Sequence, residues 1–215
     1  MLGLLWAAAL AAGLPAPVLA QVTTRGLSAE TGKAVKSSRE RLAERHFPNV
    51  TLTTQDGKKV RFYDDLIRDK IVLINFFYVK CDGICIGTTA NLVKVQKLLG
   101  DHVGRDVFMY SITLKPQQDT PSVLKEYAAA YNVKPGWLFL TGAPKDIELL
   151  RRSLGFTNPD PKLDADKSEH IGMLRYGNEP RQWWAGCPGL AHASYIAKSF
   201  GWAVGLPKLA KDEGK

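Results

Sequence analysis

Two cysteines in the middle of the chain are the residues whose type and spacing best suit chemistry. Cys81 and Cys85 lie in the stretch FFYVKCDGICIGTT, between an apolar run and a segment with helical spacing. Two nearby thiols can form a disulfide staple, act as a redox switch or hold a metal ion. Gly83 between them permits a turn that a branched residue would resist, so both sulfurs can reach one bridge or one ion.

The apolar N-terminus indicates export. Residues 1–20 contain no charged side chain and end in the small residue Ala20, which suits cleavage before Gln21. Pro15 and Pro17 argue against a straight membrane helix. We therefore expect a cleaved signal peptide and a periplasmic protein, with an uncleaved inner-membrane anchor as the alternative. In that oxidising compartment the cysteine pair would close to a disulfide unless a reductant or a metal ion keeps it open.

The charge balance is basic. The formal net charge is +8 at neutral pH, and residues 2–20 contribute none of it. An exported protein rarely meets nucleic acid, so we expect no nucleic-acid partner. An acidic protein face or the anionic headgroups of a membrane surface fit the charge better. The alternative is a solvated basic surface with no dedicated partner.

Hydrophobic patterning predicts alternating strands and helices. A polar leader over residues 21–47 precedes a hairpin whose turn signal is Asp56-Gly57. The continuous apolar run KIVLINFFYV predicts a central strand buried on both faces. The elements predicted to follow are a helix from Cys85 to Gly100, a strand in VFMYSIT, a helix begun by Asp119-Thr120-Pro121, a strand in GWLFLTG, a helix in KDIELLRRSLG, a loop over 156–169, a hairpin of IGMLRY and RQWWA, and a last helix in LAHASYIAKSFGWAVG.

This order of elements predicts an α/β fold. Strands that alternate with helices require parallel crossovers, which place helices on both faces of a sheet. We expect a central mixed sheet flanked by helices, with an N-terminal β-hairpin. The predicted domain covers residues 48–205, and residues 206–215 form a tail.

The cysteines are predicted to lie at the edge of the sheet where its central strand ends. Cys81 falls in the loop after that strand and Cys85 in the first turn of the next helix. Open α/β sheets present ligands and reactive groups at this edge. The partial positive charge of a helix N-terminus favours an anion by a few tenths to about 1 kcal/mol. We therefore expect both sulfurs to be more reactive than a free cysteine.

Three motifs occur in a set order over residues 50–176: a C-x-x-x-C after the central strand, a P-x-x-D-T-P at residues 116–121, and His170 just before a strand. In this order the chain resembles the Sco/SenC family, thioredoxin-fold proteins that carry copper to cytochrome c oxidase. The resemblance implies a thioredoxin-like fold and copper ligation by Cys81, Cys85 and His170. It also implies delivery of copper to an oxidase subunit or another copper enzyme, and an upstream copper donor.

Three positions depart from the family pattern. Asp82 stands where members commonly have proline after the first cysteine, and Lys115 stands where they commonly have aspartate. The inverted charge at Lys115 would change the docking surface and thereby the recipient. The extra thiol, Cys187, matches no family role.

The predicted ligand set itself favours copper. Two thiolates and one imidazole form a soft site of low coordination number that suits Cu(I) and also accepts Cu(II). Zinc would require a fourth ligand, which Cys187 could supply. Considered without the family, His170 is better explained as a surface or loop histidine that is hydrogen-bonded to backbone. Met173 is three residues beyond His170, which on a strand places it on the opposite face from His170, so we expect its side chain to pack in the core.

The rival interpretation is thiol chemistry without a metal. Thioredoxin-like oxidoreductases use the shorter C-x-x-C spacing and a cis-proline before the facing strand, where this chain has His170. Peroxiredoxins place threonine three positions before the reactive cysteine, where this chain has Tyr78. We expect a metallochaperone rather than an enzyme. The alternatives are a reductase of a copper site's cysteines, with Cys81 and Cys85 as its redox pair, and a redox sensor.

Overall fold

The computed structural model describes residues 38–81, 84–165 and 172–206, all within one compact unit, Lys36–Lys215. The predictions made for the signal peptide, for Asp82 and for His170 fall outside the described residues. Among the helices described, none combines the length and the apolar character that crossing a membrane requires.

Strands and helices alternate along the described chain, as the patterning predicted. A π-helical segment, Phe62–Ile67, a short 3-10 turn, Gly100–His102, and a short helix, Pro161–Ala165, within the predicted loop 156–169 are additions that the patterning did not predict. The helices are α1 (Ser38–His46), α2 (Ile84–Leu99), α3 (Pro121–Ala130), α4 (Pro144–Ser153), α5 (Pro161–Ala165) and α6 (Ala193–Val204). The strands are β1 (Thr51–Thr54), β2 (Lys59–Arg61), β3 (Ile71–Phe77), β4 (Val107–Thr113), β5 (Trp137–Gly142), β6 (Met173–Asn178) and β7 (Trp183–Pro188).

These strands form one mixed sheet in the order β2-β1-β5-β4-β3-β6-β7. Strand β4 runs parallel to both β3 and β5, whereas the hairpins β1-β2 and β6-β7 pair antiparallel. Strand β6 is antiparallel to β3, so β6 begins at the edge where β3 ends. The predicted mixed sheet with an N-terminal hairpin is therefore confirmed.

The core lies on both faces of the three parallel strands. Strand β3 is buried from Val72 to Phe77, which explains its continuous apolar run. One polar chain crosses this interior: Trp137 Nε1 donates to Ser111 Oγ over 2.9 Å, and Ser111 Oγ donates to Asn75 Oδ1 over 2.6 Å. Each member of this chain has a partner, so burial of these polar groups is compensated and the three strands are linked side by side.

Helix α1 packs against the domain, although its residues belong to the predicted leader. Its Arg39 forms an ion pair with the buried carboxylate of Glu179, in the turn between β6 and β7. Phe47, just after the helix, places its ring 4.6 Å from that of Trp184. The ion pair and the ring contact hold the two ends of α1 to the β6-β7 hairpin.

The edge of the sheet opposite the cysteines contains a close contact between two loops. Gly104 precedes β4 and Gly136 precedes β5, and both have a positive φ, of 89° and 91°. A Cβ on Gly136 would lie 2.3 Å from the backbone nitrogen of Gly104, well inside contact distance. Glycine is therefore required at position 136 by both conformation and space.

Candidate metal and thiol site

The cysteine pair lies where β3 ends and α2 begins. Cys81 and Cys85 are unlinked thiols, 4% and 1% exposed, and they are hydrogen-bonded to each other. The backbone N–H of Tyr78, the residue after β3, donates to the sulfur of Cys85. The structure thus brings the two predicted sulfurs together at the predicted edge of the sheet.

A buried carboxylate fixes the loop that carries Cys81. Asp119, 2% exposed, accepts a hydrogen bond from the N–H of Val79 over 3.1 Å and another from the hydroxyl of Thr113. The neighbouring N–H of Leu114 donates to the carbonyl of Phe77 over 2.7 Å. The loop after β4 is therefore bonded to the loop after β3. The sequence predicted that Asp119-Thr120-Pro121 begins a helix, whose observed N-cap is Thr120, but it did not predict this role of Asp119.

The expected activation of both thiols does not hold for Cys85. Burial raises the pKa of Cys85 well above its usual range, and the hydrogen bond to the Cys81 thiol raises it further. The N–H of Tyr78 acts in the opposite direction but does not compensate. Removing a sulfur from water outweighs the modest effect of a helix N-terminus. Cys85 is consequently a protonated thiol at neutral pH, and a metal ion that binds it must displace that proton.

Two cationic side chains flank the pair on one side. The ammonium of Lys115 lies 3.8 Å from the centroid of the Tyr78 ring, a cation–π contact. The backbone of the same tyrosine bonds to Cys85. Lys80, directly before Cys81, is exposed. The lysine that departs from the family pattern, Lys115, is therefore in contact with the residue whose backbone bonds to Cys85.

The other side of the pair is apolar. Ile86, next to Cys85 in α2, and Leu190, after β7, are 50% and 56% exposed. Leu190 Cδ2 approaches within 3.0 Å of where a Cβ on Gly87 would lie, so the leucine covers the first turn of α2. Asn91 secures this arrangement because its side-chain N–H groups donate to the carbonyls of Gly189 and Ala191, over 2.9 and 2.7 Å.

One buried hydroxyl near the pair is unsatisfied among the described residues. Thr88 Oγ1 lies one helical turn beyond Cys85 and has no hydrogen-bond partner there. A Cβ on Gly189 would lie 3.2 Å from this oxygen and 3.0 Å from the carbonyl oxygen of Gly172. Thr88 therefore lies close to the point where the chain enters β6.

The start of β6 lies at the edge that carries the cysteines. Leu174 of β6 pairs with Asn75 of β3, and Gly189 donates its N–H to the carbonyl of Gly172 over 2.7 Å. His170 lies two residues before Gly172 in the sequence. Its role as a ligand stays a prediction, because it lies outside the described residues. Within those residues, no three Cys, His, Asp or Glu side chains converge as a metal site.

Cys187 occupies a different place from the pair. It lies on β7 opposite Leu174, two strands from β3, and packs in the core. Burial raises the pKa of its thiol to about 11. Met173 is half-buried and packs against the same core, as predicted from its strand face.

The chain resembles known proteins in both sequence and fold. The family model described as SCO1/SenC matches residues 38–174, more than half of the chain. The chain belongs to the SCO1/SenC family. A curated relative, the SCO1 protein homolog of Bacillus subtilis, is 34% identical over 94 residues, which cover 43% of this chain and 47% of that protein. A SCO2-like protein of Rickettsia felis is 31% identical over 87 residues, covering 40% and 41%. The chain thus spans less than half the length of these SCO1/SenC relatives.

Solved structures share the SCO1/SenC fold over most of their length. The copper-bound ScoI of Bradyrhizobium japonicum is 22% identical, with a TM-score of 0.58 and coverage of 71% of this chain and 96% of that one. BsSco, a member of the Sco family of cytochrome c oxidase assembly proteins in which a disulfide switch was identified, is 26% identical. Its TM-score is 0.58, with coverage of 74% and 92%. The predicted thioredoxin-like fold of the Sco proteins is confirmed.

Proposed function

We propose that this protein binds a copper ion through Cys81, Cys85 and His170 and delivers it to a respiratory copper enzyme such as cytochrome c oxidase. The observation that carries the proposal is the pair of unlinked, mutually hydrogen-bonded thiols at the end of β3. Membership of the SCO1/SenC family and the copper-bound state of the ScoI neighbour support it.

The donor set fits copper as cargo. Two thiolates are soft ligands that suit Cu(I), and an imidazole adds a nitrogen donor that Cu(II) accepts. The Tyr78 N–H already donates to the Cys85 sulfur, so it stabilises the thiolate that binding creates. Asp119 and Asn91 hold the loops on both sides, so the sulfurs need little reorganisation to meet the ion.

The proposed location is the periplasm, with the apolar residues 1–20 as either a cleaved signal or a membrane tether. A respiratory copper enzyme in the inner membrane would then be within reach of the mature domain. Sequencing the N-terminus of the protein isolated from its own cells separates the two cases: cleavage yields Gln21 as the first residue, and a tether leaves the apolar run intact.

Copper content of the reduced protein tests the metal assignment. After loading with Cu(I) and dialysis, the unmodified protein is expected to retain one equivalent. The Cys81→Ser and Cys85→Ser variants are expected to lose tight binding, and His170→Ala to bind more weakly with an altered Cu(II) spectrum. Cys187→Ser is the matched control, because that thiol packs in the core, and it should retain full loading. Retention of one equivalent by all three site variants would refute the assignment.

A second candidate function is disulfide exchange at the same pair. The thiols are unlinked yet hydrogen-bonded to each other, so a partner disulfide can oxidise them with little movement of the loop. The disulfide switch identified in BsSco supports this candidate. Equilibration with a dithiol buffer series would give a defined two-electron potential if the pair cycles. A pair that forms no internal disulfide at any potential would exclude this function.

A further inference from the structure

The two sides of the cysteine pair differ in chemical character. In the loops 78–81 and 113–120, the charged side chains with solvent exposure are both cationic, Lys80 and Lys115. The carboxylate in these loops, Asp119, is buried and engaged in hydrogen bonds to Val79 and Thr113. Asp82 lies outside the described residues. The described solvent-facing charge on this side of the thiols is therefore positive.

Contacts at both its backbone and its ammonium restrict the position of Lys115. Its backbone N–H donates to Thr113 Oγ1 over 3.0 Å, and its ammonium rests on the Tyr78 ring. Tyr78 therefore contacts both groups: its ring contacts the Lys115 ammonium, and its backbone N–H bonds to the sulfur of Cys85. A charge held in this way can discriminate between approaching groups by sign as well as attract them.

The apolar side is equally well fixed. Leu190 packs on the first turn of α2 at Gly87, and Ile86 in the same turn is half exposed. The hydrogen bonds from Asn91 hold the loop of Leu190 against α2. A partner that covers these side chains removes exposed apolar area from water. The thiols therefore lie between a cationic side and an apolar side.

We propose that this two-sided surface selects an acidic protein partner, one that presents carboxylates on one side of its own cysteine pair and apolar side chains on the other. The inference rests on the proposed function in taking exchange at Cys81 and Cys85 as the event that docking serves. The opposite requirements of the two sides fix the orientation of the partner, so its sulfurs meet the thiols in one register. The overall charge of +8 is complementary to the same partner at longer range.

Exchange with disulfides provides a test that needs no copper. A thiolate of the pair attacks one sulfur of the probe disulfide, and the probe's second sulfur leaves as a thiolate. The other cysteine, after losing its proton, attacks the mixed disulfide, forms the Cys81–Cys85 bond and releases the second probe thiolate. The pair loses two protons and two electrons, and the probe disulfide gains the two electrons as two thiolates.

The charged side is tested with three disulfides of similar size on the reduced, metal-free full chain. They are dianionic 3,3′-dithiodipropionate, neutral 2-hydroxyethyl disulfide and dicationic cystamine. Every protein carries the Cys187→Ala substitution, so that Cys81 and Cys85 are the only thiols that can react with the probes. Lys115→Gln is expected to slow the dianionic probe and speed the dicationic one, which lowers the ratio of their rates roughly threefold or more. The neutral probe should change least. At 1 M salt the difference should collapse, since the screening length falls to about 3 Å.

Lys58→Gln is the matched control for charge. Lys58 is exposed near the β1-β2 turn, at the opposite edge of the sheet and several strands away. The Lys58→Gln substitution removes the same charge from the whole molecule, but it should leave the ratio of the exchange rates with the dianionic and dicationic probes unchanged. Equal effects of the two lysine substitutions, or no effect of Lys115→Gln, would overturn the charged half of the proposal.

The apolar side is tested with peptides that each contain one internal disulfide. The exchange rate should be higher for a peptide with glutamates than for one with lysines, and higher with leucines than with serines. Leu190→Ser should remove the preference for leucine, whereas Leu149→Ser, at a comparably exposed leucine of α4, should keep it. A leucine preference that survives Leu190→Ser would overturn the apolar half. A protein that shows these preferences but binds no copper would refute the proposed function and leave the surface assignment intact.

Discussion

A single carboxylate, that of Asp119, joins the loop of the cysteines to the end of the neighbouring strand. It accepts hydrogen bonds from Val79 and Thr113 in an environment closed to water. A buried acceptor of this kind cannot be replaced by water if its partners change. The position of Cys81 therefore depends on a residue from a separate part of the chain.

Replacing Asp119 by asparagine should weaken this connection. Both donors bond to the same oxygen, Oδ2, and an amide oxygen in its place carries no full negative charge, so both hydrogen bonds become weaker. We expect the free energy of unfolding, measured in urea, to fall by about 1 to 3 kcal/mol. Copper retention should fall as well, because the loop is held less firmly. The exposed Asp101→Asn serves as the control, and equal stability of both variants would contradict this role.

Cys187 should confer a pH dependence on stability. Its thiol titrates near pH 9 when unperturbed and at about 11 in the folded protein. A raised pKa means that the folded state keeps a proton which the unfolded state has already released. The contribution of the protonated thiol is therefore complete below pH 9 and is lost as the pH rises toward 11. Replacing Cys187 by alanine should flatten this part of the unfolding curve, and an unchanged slope between pH 9 and 11 would refute the assignment.

At the residue scale, the sequence predicted the location of Cys81 and Cys85 but not their state. Their spacing after an apolar strand placed them correctly at the sheet edge. The pKa of Cys85 depends on burial by distant segments, which no local pattern reveals. The cation–π contact of Lys115 with Tyr78 likewise joins residues from two loops. His170 lies outside the described residues, so its role as a ligand stays a prediction.

At the scale of elements, helix α1 shows how a short polar segment becomes part of a domain. It is too short to be stable alone and gains its stability from tertiary contacts. Glu179 accepts hydrogen bonds from Arg39, from the Tyr63 hydroxyl and from the N–H of Asp69. Burial would raise the pKa of Glu179, but these donors outweigh it and hold the pKa below its usual value.

Removing the Arg39 guanidinium should show how much its ion pair with Glu179 contributes to the free energy of unfolding. We expect Arg39→Met to lower the free energy of unfolding at pH 7 by about 1 to 2 kcal/mol, since one side of the pair is solvent-exposed and screened. A lowered pKa stabilises the fold above about pH 4.5, and that stability is lost as the pH falls through the folded value. The difference from the unmodified protein should therefore shrink in acid. Arg45→Met, exposed on the same helix, should have little effect. A difference that stays constant down to pH 2 would contradict the ion pair.

Element type was predicted well where periodicity and end signals agreed. Strand β3 has an uninterrupted apolar run, and α3 has Thr120 and Pro121 at its start. The leader prediction for residues 21–47 placed α1 outside the domain because its polar composition hides the few side chains that pack. Among the described side chains of this segment, Ala43 and, just after the helix, Phe47 are buried, and these two give no readable period. The π-helical segment Phe62–Ile67 has no sequence signature of its own.

At the scale of the whole molecule, the described core begins within α1. The buried hydrophobic cluster extends from Ala43 to Phe200 and includes residues of every strand. The compact unit begins at Lys36. Stability should therefore depend on where a truncation falls relative to α1 rather than on how many residues it removes.

Two truncated chains test whether stability depends on α1 or on the number of residues removed. A chain starting at Lys36 should unfold at the same urea concentration as one starting at Gln21. A chain starting at Pro48, which lacks α1 and Phe47, should unfold earlier because Glu179 loses its ion pair with Arg39 and Trp184 loses its ring contact with Phe47. Identical midpoints for all three chains would show that α1 contributes nothing to stability.

The contact between Gly104 and Gly136 has a consequence for genetics. These glycines lie at the edge of the sheet farthest from the cysteines, and position 136 has no room for even one added methyl group. An alanine there should lower the amount of folded protein in cells without altering the chemistry of the molecules that do fold. Conditional alleles, functional in cool cultures and defective in warm ones, are therefore best sought at Gly136.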